Sequence, residues 1–222
     1  MTQSIAAFYD LDRTLITANS ALLYTQFERR HGRISLRQYM IAAAWMGLYH
    51  LNVLDIERAY RKAIAIYKGM QESEIRQRAE EFFLDEVHDH LLPGAKDSLA
   101  FHRQENHHLV LATNGSSYQA DIACRTWKLD HWLANGFPID ETGRLEGTFE
   151  DPLCFGSGKL ARAAAYAKQH GIHLKDCYFY SDSFSDLPML QGVGHPRVVN
   201  PDPKLRRYAR QKGWQILDWR EA

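Results

Sequence analysis

The chain has 222 residues, of which 45% are apolar and 24% are charged, as is usual for a globular protein that buries a core. Lys and Arg together number 27, as do Asp and Glu, so the formal net charge is zero and no overall positive field favours nucleic acid or an anionic membrane as a partner. The three cysteines form no Cys-x-x-Cys pair, and the amino terminus has no signal-peptide pattern. These features predict a reduced protein of the cytoplasm.

A short apolar run is followed by a long helical segment. Residues 4–9 predict a buried strand, and Asn19 or Ser20, Ser35 and Asp55 are placed to cap three successive helices. A fourth helix is predicted over residues 74–90, which carry apolar side chains at helical spacing before Pro93. The pattern therefore indicates a helical domain, residues 17–92, inserted after the first strand.

Helices and strands alternate from residue 93 onward. The predicted helices and strands are helix 95–104, strand 109–112, helix 116–127, a hairpin of 137–139 with 145–149, helix 159–170, strands 177–180 and 197–200, helix 203–212 and strand 215–217. This alternation predicts an α/β fold with a doubly wound, Rossmann-like, mostly parallel sheet, formed by residues 1–16 and 93–222.

Polar side chains follow three of the predicted strands. Because the carboxyl ends of parallel strands meet at one edge of a sheet, these residues form one predicted site. Crowded carboxylates repel one another unless a divalent cation lies among them, and oxygen ligands without His or Cys favour Mg²⁺. The acids concerned are Asp10, Asp12, Asp182 and Asp186.

Other residues of the predicted site are suited to a phosphate. The Thr113 hydroxyl and the backbone amides from Asn114 onward lie at the start of a predicted helix, where anions bind. Lys159 follows Gly156-Ser157-Gly158 and supplies a positive charge. Leu160 follows this lysine in place of Ser or Thr, so the segment is not a Walker A loop.

Four segments in this order resemble the haloacid dehalogenase superfamily of phosphatases. They are Asp10-Leu11-Asp12-Arg13-Thr14, residues 109–113, Lys159 and residues 181–187. The helical insertion is similar to the type 1 cap domain of that superfamily. The closest resemblance is to subfamily IB, the phosphoserine-phosphatase-like proteins.

The resemblance implies a role for each site residue. Asp10 would be the nucleophile that forms an aspartyl-phosphate, and Asp12 would be the acid and then the base. Mg²⁺ would be bound by Asp10, the Asp12 carbonyl and Asp182, with support from Asp186. The transferring phosphoryl oxygens would be held by Thr113, the Asn114 amide and Lys159.

Two residues depart from the pattern of the family. Arg13 stands where a small residue is usual; it either reaches toward the substrate or a cap carboxylate, or faces solvent. Asn19 stands where phosphoserine phosphatases carry a glutamate for the substrate amine. Phosphoserine is therefore a weak substrate candidate, because a zwitterion would lose a buried charge partner.

The sequence thus predicts a Mg²⁺-dependent phosphomonoesterase that acts on a small phosphorylated metabolite, such as histidinol phosphate or glycerol phosphate. One alternative is a phosphatidylglycerophosphate or other lipid head-group phosphatase, with the apolar residues 39–49 touching a membrane. We expect residues 39–49 to form a buried or amphipathic helix instead. A contact between the two copies of a homodimer is a further alternative for this segment. A different class of function is a non-catalytic phospho-acceptor module, which would not need Asp12 as an acid and base.

Overall fold

The structure of the protein, a computed structural model, describes residues 4–50 and 56–220, without the side chains at 43, 45–50 and 56. Asp55, the predicted cap of the third helix, lies outside the described residues. Most side chains of the apolar segment 39–49 also lie outside them, and the described Met40 and Ile41 are exposed. Across the described part of the chain, no helix is long and apolar enough to cross a bilayer.

Six parallel strands form a single sheet with the order β3-β2-β1-β4-β5-β6. This order confirms the predicted doubly wound α/β fold, whose ligand crevice lies where the strand order reverses. The strands are β1 (Ala6–Tyr9), β2 (His108–Ser116), β3 (His131–Asn135), β4 (Tyr178–Ser181), β5 (His195–Val199) and β6 (Gln215–Leu217).

The helices cover both faces of this sheet and form the inserted segment. The helices are α1 (Ser20–Arg30), α2 (Leu36–His50), α3 (Ile56–Ala65), α4 (Glu72–Glu86), α5 (Pro93–Gln104), α6 (Ser117–Trp127), α7 (Ser157–Gln169), α8 (Leu187–Gly192) and α9 (Pro203–Lys212). Two predicted caps are confirmed. The Asn19 side chain accepts a hydrogen bond from the Leu22 amide, and Ser35 Oγ accepts one from the Gln38 amide.

Strand β1 separates two buried apolar clusters. Ala7 and Tyr9 belong to the cluster on one face, and Ala6 and Phe8 belong to the cluster on the other. All four side chains are fully buried, as expected for the central strand of a sheet covered on both sides. The chain end of β1 is therefore held rigidly from both faces.

The inserted helices join the core through two adjacent chain crossings. Ile16 and Leu91 form an antiparallel bridge, and the Leu92 amide donates to the Leu15 carbonyl at 2.9 Å. Helix α4 packs onto the core, where the Phe83 ring lies 5.2 Å from that of Trp127. The crossings lie at the domain boundaries predicted from the sequence, although the division into core and cap stays a prediction.

The structure adds one strand to the predicted elements and corrects the ends of two helices. The predicted hairpin of 137–139 with 145–149 is present in a short form: Ile139 and Leu145 form an antiparallel bridge, and the Glu146 amide donates to the Pro138 carbonyl at 3.0 Å. Strand β3 was not predicted. The third and fourth helices end earlier than expected, at Ala65 and Glu86, and a separate 3₁₀ turn covers His88–His90.

Candidate active site

Two of the predicted acids lie at the carboxyl ends of neighbouring strands. Asp10 follows β1, and Asp182 follows β4, which pairs with β1. The Asp10 amide continues this pairing, donating to the Tyr180 carbonyl at 2.9 Å. The sheet itself therefore fixes the Asp10 backbone, beside the reversal point of the strand order.

A buried lysine links two of the acids. Lys159 Nζ, on the first turn of α7, lies 2.9 Å from Asp10 Oδ1 and 2.9 Å from Asp186, and the lysine is only 2% exposed. Ser181 Oγ also donates to Asp186 Oδ2 at 2.7 Å. A cation at a helix amino terminus is opposed by the helix dipole, so these two carboxylates stabilise a charge that its own helix disfavours.

The electrostatics of the site are those of crowded carboxylates. Burial raises the pKa of Asp10 to about 7, with Lys159 opposing the rise and Asp186 and Asp12 adding to it. Burial, and next the charge of Asp10, raises the pKa of Asp182 well above its ordinary value. Burial alone would lower the pKa of Lys159, but Asp10 and Asp186 raise it above its usual range. The lysine therefore stays protonated, while the acids lack sufficient positive charge.

Asp12 has a different environment from Asp10. Its Oδ1 accepts a hydrogen bond of 2.7 Å from the backbone amide of Ser20, the first residue of α1. Burial raises the pKa of Asp12, and the hydrogen bond from Ser20 opposes this effect. A carboxyl group with a raised pKa is suited to exchange a proton, so the site contains two neighbouring acids with unequal partners.

The predicted phosphate-binding residues Thr113 and Asn114 lie near the carboxyl end of β2. Thr113 is buried, and its Oγ1 accepts a hydrogen bond from the Gly115 amide at 3.0 Å. The carbonyl of Asn114 accepts a 2.7 Å hydrogen bond from the side chain of Asn135, at the end of β3. Residues 113–115 lie in an irregularity of the β2–β3 pairing, since Ala112 pairs with Leu133 and Ser116 with Asn135.

The donor set fits a divalent cation bound by few side chains. No group of three His, Cys, Asp or Glu side chains within residues 4–50 and 56–220 is arranged to hold a metal. Asp186 is bound to Lys159 and Ser181, and the Asp12 carboxylate to Ser20. The Asp10 and Asp182 carboxylates and the Asp12 carbonyl are hard oxygen donors, and the raised pKa values of the two carboxylates show a local need for positive charge.

Arg13 and Asn19 are placed differently from the other predicted residues. Arg13 is exposed and has a left-handed backbone with φ of 56°, a conformation that favours glycine. Its charge opposes the rise in the pKa of Asp182 that burial and Asp10 cause, so it lies near the acids. The oxygen of Asn19 caps α1, so this side chain has a structural partner of its own.

Sequence reasoning missed two side chains of the site. Ser181 donates to Asp186, and fully buried Asn135 contacts Asn114. Ser181 could have been recognised from its place directly before Asp182, at the end of a predicted strand. Asn135 had no such signal, because β3 was not predicted.

The fold and the site together define a doubly wound α/β protein that carries buried acids and a buried lysine at the carboxyl ends of its strands. Residues 7–191 match the family of haloacid dehalogenase-like hydrolases. This chain therefore belongs to the haloacid dehalogenase-like hydrolase family, which confirms the resemblance found in its motifs.

Relatives of this chain have phosphatase names. "Phosphoserine phosphatase SerB1" of Mycobacterium tuberculosis is 30% identical, with 98% of this chain and 71% of that protein covered. "Histidinol-phosphatase" of Neisseria meningitidis is 24% identical, covering 96% of this chain and 98% of that protein. A crystal structure of a protein with unknown function from Bordetella pertussis matches with a TM-score of 0.89 and 29% identity, covering 98% of this chain and 100% of that one. The prediction of a phosphoric monoester hydrolase is confirmed at the level of enzyme class.

Proposed function

We propose that the protein is a Mg²⁺-dependent phosphomonoesterase that hydrolyses a small phosphorylated alcohol through an aspartyl-phosphate on Asp10. The observation that carries this proposal is the 2.9 Å contact between Asp10 Oδ1 and the buried ammonium of Lys159. This contact orients the Asp10 carboxylate and places a permanent positive charge beside it. A nucleophile that attacks a phosphoryl group needs both.

The first step is attack by Asp10. A carboxylate oxygen of Asp10 forms a bond to phosphorus while the bond from phosphorus to the alcohol oxygen breaks, and protonated Asp12 gives its proton to the leaving alkoxide. The Thr113 hydroxyl, the Asn114 amide and Lys159 hold the phosphoryl oxygens. The raised pKa of Asp12, caused by its burial, favours the protonated form that this step needs.

The second step releases inorganic phosphate. Asp12, now ionised, takes a proton from a water molecule as the water oxygen attacks phosphorus and the bond to Asp10 breaks. Bound Mg²⁺ would be held by Asp10, Asp182 and the Asp12 carbonyl, with Asp186 supporting through Lys159, and it would supply charge that offsets the phosphoryl oxygens. We also propose residues 17–92 as the cap that covers the substrate.

The substrate proposal rests on the side chains that would have to bind the amine and the carboxylate of an amino acid. Asn19 caps α1, and Arg61 on α3 is paired with Glu57 at 2.7 Å and with Asp151 at 3.2 Å. Neither residue supplies an unpaired charge for the amine or the carboxylate of an amino acid. Phosphoserine carries both groups, whereas histidinol phosphate lacks the carboxylate and glycerol phosphate lacks both. These two are therefore better candidates, and we expect kcat/KM for phosphoserine to be at least about tenfold lower.

The central test replaces the nucleophile. Asp10→Asn should abolish Mg²⁺-dependent release of phosphate from p-nitrophenyl phosphate, while Asp218→Asn, at an exposed aspartate paired with Arg220, should keep wild-type activity. Full activity of Asp10→Asn would contradict the mechanism. A long-lived phosphorylated Asp10 without turnover would instead favour a phospho-acceptor module.

A further inference from the structure

The amide side chain of Asn135 lies between the two phosphate-binding elements of the site. Asn135 is fully buried at the end of β3. Its Nδ2 donates to the Asn114 carbonyl at 2.7 Å, and its Oδ1 accepts from the Cys154 amide at 2.7 Å. The planar amide group of Asn135 thus donates one hydrogen bond to the segment of Asn114 and accepts one from the segment of Cys154.

The hydrogen bond from Asn135 to the Asn114 carbonyl orients the peptide group between Asn114 and Gly115, and this peptide group in turn contacts Thr113. Between the pairs Ala112–Leu133 and Ser116–Asn135, three residues of β2 lie opposite one residue of β3. The Asn135 side chain supplies the hydrogen bond for the displaced Asn114 carbonyl. The Asn114 carbonyl and the Gly115 N–H belong to the same trans peptide group, so they point in opposite directions. This N–H, of Gly115, donates to Thr113 Oγ1 at 3.0 Å. Because Thr113 Oγ1 accepts here, its own hydrogen is left for a phosphoryl oxygen.

The second contact acts on the segment that precedes Lys159. The Cys154 amide bound by Asn135 adjoins Leu153, and a Cβ atom on Gly158 would lie 2.0 Å from the Leu153 carbonyl oxygen. The chain at 153–154 is thus packed directly against the residue before Lys159. A shift of Asn135 would displace the start of α7 and the ammonium that α7 carries.

The inserted helices reach the same amide. The Tyr60 side chain on α3 lies close to the Asn135 side chain: burial raises the pKa of Tyr60, and the interaction with Asn135 opposes this rise. The Tyr60 ring packs edge-on against Phe149 at 5.3 Å, and the neighbouring Arg61 lies 4.5 Å from the same ring. Helix α3 therefore packs on the segment that leads to Cys154.

We propose that Asn135 is a positioning residue that sets the spacing between the Thr113 hydroxyl and the Lys159 ammonium, and that Tyr60 makes this spacing depend on the position of α3. The inference rests on the proposed phosphatase function and deepens it. It assigns a role to a side chain that does not touch the reacting atoms. Loss of the amide misplaces two groups that stabilise the phosphoryl transition state, so kcat falls more than KM rises.

The test compares Asn135→Ala, which removes both hydrogen bonds, with the isosteric Asn135→Asp, which keeps only the acceptor for Cys154. We expect both variants to lower kcat for p-nitrophenyl phosphate by about 10-fold to 100-fold, with KM changed less than about threefold. Inhibition by orthovanadate should weaken by the same factor as kcat/KM, which a purely structural role would not require. Folded variants with kcat within about twofold of wild type would overturn the proposal.

Tyrosine variants test the contact from α3 and decide the outcome if neither Asn135 variant folds. Tyr60→Phe should lower kcat by about twofold to tenfold, because the hydroxyl group that interacts with the Asn135 amide is removed. Tyr166→Phe, which removes a 2.9 Å hydrogen bond to His108 at the opposite edge of the sheet, should leave kcat unchanged. Equal kcat values for Tyr60→Phe, Tyr166→Phe and wild type would overturn the role of Tyr60.

The proposed function and this inference fail in different ways. A wild-type protein that releases no phosphate overturns both. An active wild type, an inactive Asp10→Asn and unchanged Asn135 variants overturn only the inference.

Discussion

Replacement of Lys159 by methionine tests the electrostatic core of the site. The lysine is 2% exposed, and its ammonium lies 2.9 Å from each of two carboxylates. At an effective dielectric constant of about 20, each contact is worth roughly 6 kcal/mol of attraction, and desolvation of the buried ions offsets much of this. Loss of one partner from a buried ion pair costs about 3–5 kcal/mol, because the remaining charge is uncompensated.

We therefore expect Lys159→Met to lower the free energy of unfolding in EDTA by about 3–5 kcal/mol, measured by urea denaturation with circular dichroism. Added Mg²⁺ should recover part of this loss by supplying positive charge to the acids. Lys168→Met provides a matched control, because Lys168 is exposed on the last turn of the same helix, and its effect should stay within about 0.5 kcal/mol.

A double variant separates charge from packing. If the acids are the cause, adding Asp186→Asn to Lys159→Met should cost less than the sum of the two single changes, by about 1–3 kcal/mol. The reasoning would be refuted by a Lys159→Met protein that unfolds within about 1 kcal/mol of wild type in EDTA and still releases phosphate at the wild-type rate.

Four further predictions follow from single residues. Burial raises the pKa of Asp10 from 3.8 to about 7, so between these pH values the metal-free folded protein binds a proton that the unfolded chain has lost. The urea midpoint of unfolding in EDTA should therefore fall as pH rises from about 4 to about 7, and saturating Mg²⁺ should remove this fall. Asn19→Ala should cost about 1 kcal/mol of stability as a lost helix cap and leave KM unchanged, whereas a KM rise above about threefold would make Asn19 a substrate contact. Phe83→Ala should cost about 3–5 kcal/mol in urea unfolding, and its neighbour Leu84→Ala, 53% exposed, less than about 1 kcal/mol. Arg13→Gly should be about 1 kcal/mol more stable than Arg13→Ala, because φ is 56° there; equal thermal midpoints would contradict this strain.

The fold was predictable from the sequence wherever a strand is buried on both faces. Strand β1 lies at the centre of the sheet, and its uninterrupted apolar run was recognised. Strand β3 lies at the edge and begins with exposed His131, so it shows neither a continuous apolar run nor a regular alternation. The hairpin around residues 140–143 was recognised from its turn, but the hydrogen bond from the Leu145 amide to the Met70 carbonyl joins it to a distant segment, and no local pattern encodes that pairing.

The residues of the site were predictable to the extent that their chemistry follows directly from their position. Asp10, Thr113 and Asp182 each follow a recognisable strand, and strand ends converge. The 2.9 Å distance between Lys159 and Asp10 joins residues 149 positions apart, and the sequence alone indicated their association only through the resemblance to a family. Asn135 depends on the irregular β2–β3 pairing, which is a property of the three-dimensional sheet.

If residues 17–92 cover the substrate as proposed, the packing of α4 would limit how a substrate enters and a product leaves. The Phe82 ring lies between aromatic side chains of α1, at 5.1 Å from Tyr24 and 5.6 Å from Phe27, and Phe83 is packed against Trp127 of the core. If residues 17–92 swung away from the sheet as one body, the contact between Phe83 and Trp127 would break, and the Phe83 ring would be exposed to water at each catalytic cycle. Movement of α3 alone would avoid that cost. In this arrangement α1 and α4 would stay in place, and displacement of α3, which carries Tyr60 beside Asn135, would let substrate and product exchange.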